Sequence, residues 1–179
     1  MDYSLTLYTT TSDLSDATSP YYTENVGGLY LWGDTENKRV SKTSTTHSTS
    51  ASGIQGTGED TAKNIWGSNW QMPTMSQIDD LLSTTNCTIT YNFSLRDPNL
   101  VGTLVTGKGD YASNCIFLPS GGYVYGTANV QDAGTNGTYW SATYYNDTNA
   151  RGESIYYSAA HDTPCLFTDG RSVRPILVK

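Results

Sequence analysis

Apolar and polar positions alternate in several short stretches of this chain, and in two others the apolar residues recur at helical spacing. Residues 3–9 alternate, which predicts a strand, and polar loop follows to about Asn25. Residues 28–33 (Gly-Leu-Tyr-Leu-Trp-Gly) predict a short buried strand ending in a turn. Residues 41–53 are a Ser/Thr-rich, low-complexity stretch that predicts a polar surface loop, with His47 solvated inside it. Two short helices come next. The first covers residues 60–66. The second starts after Pro73, where Thr74 and Gln77 have the spacing of a capping box. Met75, Ile78, Leu81 and Leu82 then share one face. Asp79 and Asp80 point away from it. Adjacent helical positions diverge by about 100°, so these two form a solvated face and not a catalytic carboxylate pair.

Beyond Ser83 the period becomes two. Strands are predicted over 88–93, 115–119, 121–126, 137–143, 153–158, 165–168 and 172–178, and residues 100–105 fit a strand or an ordered loop. Helices early and strands late indicate one α+β domain, with two short helices packed on antiparallel sheets and long irregular loops.

Composition adds a hint of function. Of 179 residues only 36% are apolar, and the chain holds 14 Tyr against 3 Phe. Tyr, Ser, Gly and Asn together supply rigid contact area and adaptable hydrogen bonds, as recognition surfaces do, but Tyr and Thr also favour strands. The net charge of −7 excludes the basic face that nucleic acid requires and disfavours anionic lipid. No apolar run approaches the roughly 20 residues of a membrane-spanning helix, and the start, Met-Asp-Tyr-Ser-Leu-Thr, has no signal-peptide pattern. Cys87, Cys115 and Cys165 are odd in number and lack CxxC spacing, so no zinc site is expected and at most one disulfide.

Six motifs occur in a fixed order. They are Leu31-Trp32-Gly33, residues 56–62 (Gly-Thr-Gly-Glu-Asp-Thr-Ala), residues 66–74 (Trp-Gly-Ser-Asn-Trp-Gln-Met-Pro-Thr), residues 117–123 (Phe-Leu-Pro-Ser-Gly-Gly-Tyr), residues 137–141 (Gly-Thr-Tyr-Trp-Ser) and residues 170–175 (Gly-Arg-Ser-Val-Arg-Pro). From about Gly27 onward the chain resembles the Fibrobacter succinogenes major paralogous domain and related Bacteroides-type surface domains. These are similar to the formylglycine-generating-enzyme branch of the C-type lectin fold. The family's Trp-Arg-(Met/Leu)-Pro-Thr has Gln71 in place of its Arg, which removes any role resting on that guanidinium. Some such domains resemble the variable proteins of diversity-generating retroelements, in which adenine-specific mutagenesis rewrites a C-terminal stretch on a fixed scaffold. Here Tyr139-Trp140-Ser141 and Ser172-Val173-Arg174-Pro175 resemble the fixed flanks, and residues 144–171 the varied stretch. Randomising the adenines of an Asn codon cannot yield Lys, Glu, Gln, Met or Trp. Residues 144–171 contain one of these, Glu153, where the chain's composition elsewhere suggests roughly three.

The resemblance implies a ligand-binding receptor or adhesin domain on a bacterial cell surface or phage particle. Its partner would be a protein or glycan on a host or neighbouring cell, with no nucleic acid, no membrane insertion, no cofactor and no catalysis. The alternative is a structural surface module without a dedicated ligand. The binding patch is expected from Tyr144, Tyr145, Asn146, Asp147 and Asn149 in one loop. Ser154, Tyr156 and Ser158 would face outward from a strand whose Ile155 and Tyr157 face the core. His161, Asp162 and Thr163 lie in the next loop, and Phe167, Asp169 and Arg171 near the end, with Arg151 or Arg171 as charged anchor. Trp70 and Trp140 are expected in the core, and Arg174 as a structural hydrogen-bond donor. Oxidase members of the lectin-fold branch use a cysteine pair. Cys87 and Cys115 could imitate one, but Cys115 opens an apolar strand and reads as buried and inert. His161 and Cys165 form no recognisable triad. The calcium motifs Glu-Pro-Asn and Gln-Pro-Asp are absent, and Asn146-Asp147 is only a remote likeness of Trp-Asn-Asp, so no metal is expected.

Overall fold

The structure is a computed structural model and describes residues 28–34, 48, 50–95, 100–125 and 130–178. The strand expected over 3–9, His47 and most of the Ser/Thr-rich loop lie outside the described residues. Strand β1 is Leu29–Tyr30, helix α1 is Thr61–Trp66, β2 is Trp70–Gln71 and helix α2 is Met75–Leu81. Strands β3 (Cys87–Ser94), β4 (Val101–Gly107) and β5 (Cys115–Pro119) follow, then the short β6 (Tyr123–Val124) and β7 (Val130–Gln131). The chain ends with β8 (Asn136–Asn146), β9 (Asn149–Tyr156), β10 (Ala160–Leu166), β11 (Arg171–Ser172) and β12 (Ile176–Leu177). The fold is mostly β-sheet with two short helices, an α+β arrangement.

Both helix starts follow from side-chain caps. Thr74 accepts from the Gln77 N–H, and the Gln77 side chain accepts from the Thr74 N–H, which completes the capping box. Thr74→Ala is expected to lower stability by about 1 kcal/mol, read from the urea midpoint. Asp60 is the N-cap of α1 and not its first helical residue. Its carboxylate is fully buried. Oδ1 accepts from the N–H groups of Ala62, Lys63 and Met72, and Oδ2 from those of Gly56 and Met72, at 2.7–3.2 Å. One side chain thus ties the turn before α1, the helix itself and the chain after β2.

The main sheet has the order β1-β11-β8-β9-β10, with only β11 and β8 parallel. A second sheet is β3-β4-β5, and the pairs β12-β2 and β6-β7 complete the architecture. Each face of β8 and β9 packs on its own core. On one face Trp140, Ala142, Ala150, Cys165 and Phe167 pack with Trp32, Ile54, Ala62 and Met72. On the other, Tyr139 and Ile155 pack with Val105, Leu118 and the flank of α2 at Leu81 and Leu82. Trp32 and Trp140 are completely buried, and their indole N–H groups donate to the carbonyls of Ser141 and Tyr30 at 2.8 and 2.7 Å. Trp140 is therefore core, as expected, whereas Trp70 is only half-buried.

Two-sided burial explains most differences from the sequence reading. Residues 152–155 are all buried, so alternation does not select an outward side there. Ser154, expected to face out, is buried beside Ile155. Tyr157, expected in the core, is 68% exposed. Strand β9 stops at Tyr156, whose N–H donates to the Ala159 carbonyl at 2.8 Å and closes the β9–β10 turn, so the period of two ends before Tyr157. Tyr144, Tyr145, Asn146 and Asn149 belong to β8 and β9 and not to a loop. A turn of two residues, Asp147-Thr148, joins the strands. The strand expected over 172–178 divides into β11 and β12, separated by Pro175. Cys115 is exposed rather than buried, because it opens β5 at the end of its sheet.

Candidate ligand-binding site

The expected site residues follow the β8–β9–β10 unit, but they do not form one patch. Tyr145, Asn146, Asp147 and Asn149 lie at the β8–β9 turn, and Tyr156, Ser158 and His161 at the β9–β10 turn. The eight residues of β9 separate the two ends by roughly 23 Å.

The β8–β9 end is bonded mostly to itself. The Tyr144 hydroxyl donates to Asp147 Oδ1 at 2.7 Å, and this bond, with some burial, raises the phenol pKa. Asn146 Oδ1 accepts from the Thr148 N–H and hydroxyl, and the Tyr144 ring lies against Phe167 at 6.5 Å. Of the two tyrosines at this end Tyr145 is the exposed one, at 51%.

In the middle, Arg151 of β9 donates from Nε and Nη2 to the two carboxylate oxygens of Asp162 on β10. Both side chains are substantially exposed, so this fork contributes at most about 1 kcal/mol. Thr163 is half-buried and its hydroxyl donates to the His161 carbonyl.

The β9–β10 end presents most of the exposed aromatic surface. Tyr156 and Tyr157 are exposed, Ser158 and His161 are exposed beside them, and the Tyr156 and His161 rings lie 6.2 Å apart. The row Thr138–Ser154–His161 crosses β8, β9 and β10 and anchors this end on buried strand.

Four expected surface residues are interior: Ser154, Phe167, Asp169 and Arg171. Phe167 stacks on Trp32 at 4.8 Å with planes 12° apart, because the chain returning from β10 crosses the first core. Asp169 and Arg171 lie where β11 enters the sheet. Arg171 Nη2 is 3.6 Å from Asp169 Oδ2, and the guanidinium sits 5.5 Å from the ring centres of both Tyr123 and Trp140. Burial raises the Asp169 carboxyl pKa, and the Arg171 charge opposes that rise.

Three aromatic residues outside the expected set belong to this region or flank it. The alternation of residues 154–158 places Tyr157 in the core, whereas it is exposed. Tyr123 and the 56% exposed Tyr125 read as ordinary strand residues. Tyr123 lies within electrostatic reach of Tyr156, Asp132, Asp169 and Arg171. No local signal reveals that proximity, since it depends on β6 meeting Gly170 and the β8–β9 unit in space.

The thiols have separate environments. Thr88, Thr106 and Cys115 form one cross-strand row, and Cys87 is the neighbour of Thr88, so the Cys87 and Cys115 side chains point to opposite faces. Burial pushes the Cys165 thiol up to about 12, which keeps it protonated. Arg174 lies beside Tyr139, and its own burial lowers its pKa. Among the described residues no three His, Cys, Asp or Glu side chains cluster as metal ligands, and no helix is long and apolar enough to cross a membrane.

Fold and site define a β-rich α+β domain with an exposed aromatic hairpin end set on a doubly buried strand. No protein-family model, curated protein or solved structure matches the chain significantly.

Proposed function

We propose that this protein is a non-catalytic ligand-binding domain of receptor or adhesin type, built on a C-type lectin-like scaffold. It is the variable protein of a diversity-generating retroelement, displayed on a bacterial cell surface or phage particle. Its partner is a protein or glycan on a host or neighbouring cell. The observation that carries this reading is the β9–β10 end, where Tyr156, Tyr157, Ser158 and His161 are exposed together at the point where the mostly buried β9 turns into the edge strand β10. Aromatic side chains held by a rigid strand offer contact area at low entropic cost. The six ordered motifs support the scaffold, and the scarcity of Lys, Glu, Gln, Met and Trp in residues 144–171 supports diversification.

The binding surface is narrower than the varied stretch. It comprises Tyr156, Tyr157, Ser158, His161 and Thr163, with the Arg151–Asp162 fork beside it. The burial of Ser154 and Phe167 favours a second reading, a structural module, over that part of the chain.

Glycan and cell-surface protein arrays test the proposal. Tyr156→Ala/Tyr157→Ala is expected to weaken the strongest array interaction at least tenfold without moving the thermal midpoint, because both residues are exposed. An unaltered interaction, or none on any array, supports the structural module instead. Sequencing the flanking DNA tests diversification: a reverse transcriptase and a near-identical template repeat are expected, and their absence rejects that part.

A further inference from the structure

We infer that Arg171 and Asp169 form a subsite for a carboxylate that carries a hydrogen-bond donor on its adjacent carbon. This deepens the binding function proposed above and rests on it. Arg171 Nε and Nη1 and Asp169 Oδ1 are all buried without a partner. The two side chains approach only through Nη2 and Oδ2, at 3.6 Å, a single long contact in place of a fork. A buried Arg–carboxylate pair retained for structure alone is expected to close a bidentate fork, because each unmet polar atom in the interior is costly. This pair leaves three.

The rings of Tyr123 and Trp140 at 5.5 Å attract the guanidinium, but their faces supply no acceptor in its plane. The in-plane donors stay free for a planar anion. Nη2 bears two protons, so one can remain towards Asp169 while the other joins Nη1 in an end-on fork. Asp169 Oδ1 is an acceptor and requires a donor from the same ligand. A carboxylate with a neighbouring hydroxyl or ammonium group satisfies Nη1 and Oδ1, two of the three unmet atoms.

Charge selects against larger anions. Asp169 is in the subsite, Asp132 lies within electrostatic reach of Tyr123, and the chain carries −7 overall, so a dianion is repelled. The way in is Tyr123. It is half-buried, sits over Arg171 and lies within reach of the exposed Tyr156. Its strand β6 is only two residues long and follows Gly122, whose φ is +73° and where a β-carbon would collide with the Gln131 carbonyl. The rest of the ligand lies along Tyr156 and His161.

The test uses the full chain with glycolate, acetate and inorganic phosphate at constant ionic strength, read by calorimetric titration. Glycolate is expected to bind best. Acetate, which leaves Asp169 Oδ1 unpaired, is expected to bind roughly tenfold more weakly, and phosphate more weakly still. Asp169→Asn/Arg171→Met, shown to be folded by circular dichroism, is expected to lose glycolate affinity by about 100-fold or more. Arg171→Lys, which keeps the charge without the fork, is expected to lose about tenfold and decides the matter where the double variant does not fold. Equal responses to the three anions, no binding by the native chain, or unchanged glycolate affinity in the variants would each overturn the subsite and leave a structural ion pair. Failure on the arrays with glycolate binding intact would reject the receptor reading alone, so the two failures are distinguishable.

Discussion

Asp60→Ala is expected to destabilise the protein by about 4 kcal/mol or more, a large share of the 5–15 kcal/mol that holds a typical domain folded. The carboxylate is inaccessible to solvent and serves the N–H groups of Gly56, Ala62, Lys63 and Met72. Alanine leaves these four donors without their acceptor. An unmet buried donor costs about 1–3 kcal/mol, partly offset here because a buried charge is also removed. Asp60→Asn keeps one acceptor oxygen but turns an NH2 group towards the remaining donors, so roughly half the loss is expected. Urea denaturation followed by tryptophan fluorescence measures both. A loss under 1 kcal/mol for Asp60→Ala would mean that water takes over the four donors.

Glu153→Gln is expected to stabilise the protein by roughly 2–3 kcal/mol at pH 8 and to have almost no effect at pH 4. Glu153 is the buried acid of β9, in the row Tyr139–Glu153–Asp162 and facing Asp79 of α2 and Tyr91 of β3. Burial first, then the charges of Asp162 and Asp79, raise its pKa from 4.5 to about 7. A raised carboxyl pKa means that the folded state holds the proton more tightly than the unfolded state. Its stabilising contribution is therefore complete below about pH 4.5, falls as pH rises towards 7 and is absent above that. Gln is neutral throughout, so the gain should appear across that window. The same urea series at pH 4, 5, 6, 7 and 8 measures it, and native and variant curves that run parallel would assign the pH dependence to another group.

The helical half of the fold was legible residue by residue. Pro73, Thr74 and Gln77 announce the start of α2 through contacts no more than three positions apart. Met75 and Ile78 fall on the buried face that their spacing indicates. Strand existence was legible too, because the apolar groups at 88–93 and 115–119 are local patterns. The candidate site was legible only in part. Tyr156, Ser158 and His161 were expected together and are together. Tyr145 was expected with them and lies at the opposite end of β9. Its position depends on a two-residue turn, where the sequence shows only a polar run from Asn146 to Asn149. Strand β10 was recognised only at its end, since His161, Asp162 and Pro164 do not alternate as a half-buried strand should. Both sides of β10 are exposed along that stretch, where it forms an edge of the main sheet among the described strands, so there is no buried face for the sequence to record.

By itself, then, the sequence determined the element types, the helix caps, the core role of Trp140 and the tyrosine-rich, acidic character of the surface. Each of these depends on a residue's own chemistry or on neighbours a few positions away. Only the tertiary structure decided that β9 is covered on both faces. That placed Ser154 inside, ended the alternation before Tyr157 and buried Glu153 among other acids. It also decided that Arg171 lies between the rings of Tyr123 and Trp140 instead of reaching solvent. Those placements depend on which distant segments meet, and the pairing of sheet with sheet is settled by the burial of the whole chain, not by any local period.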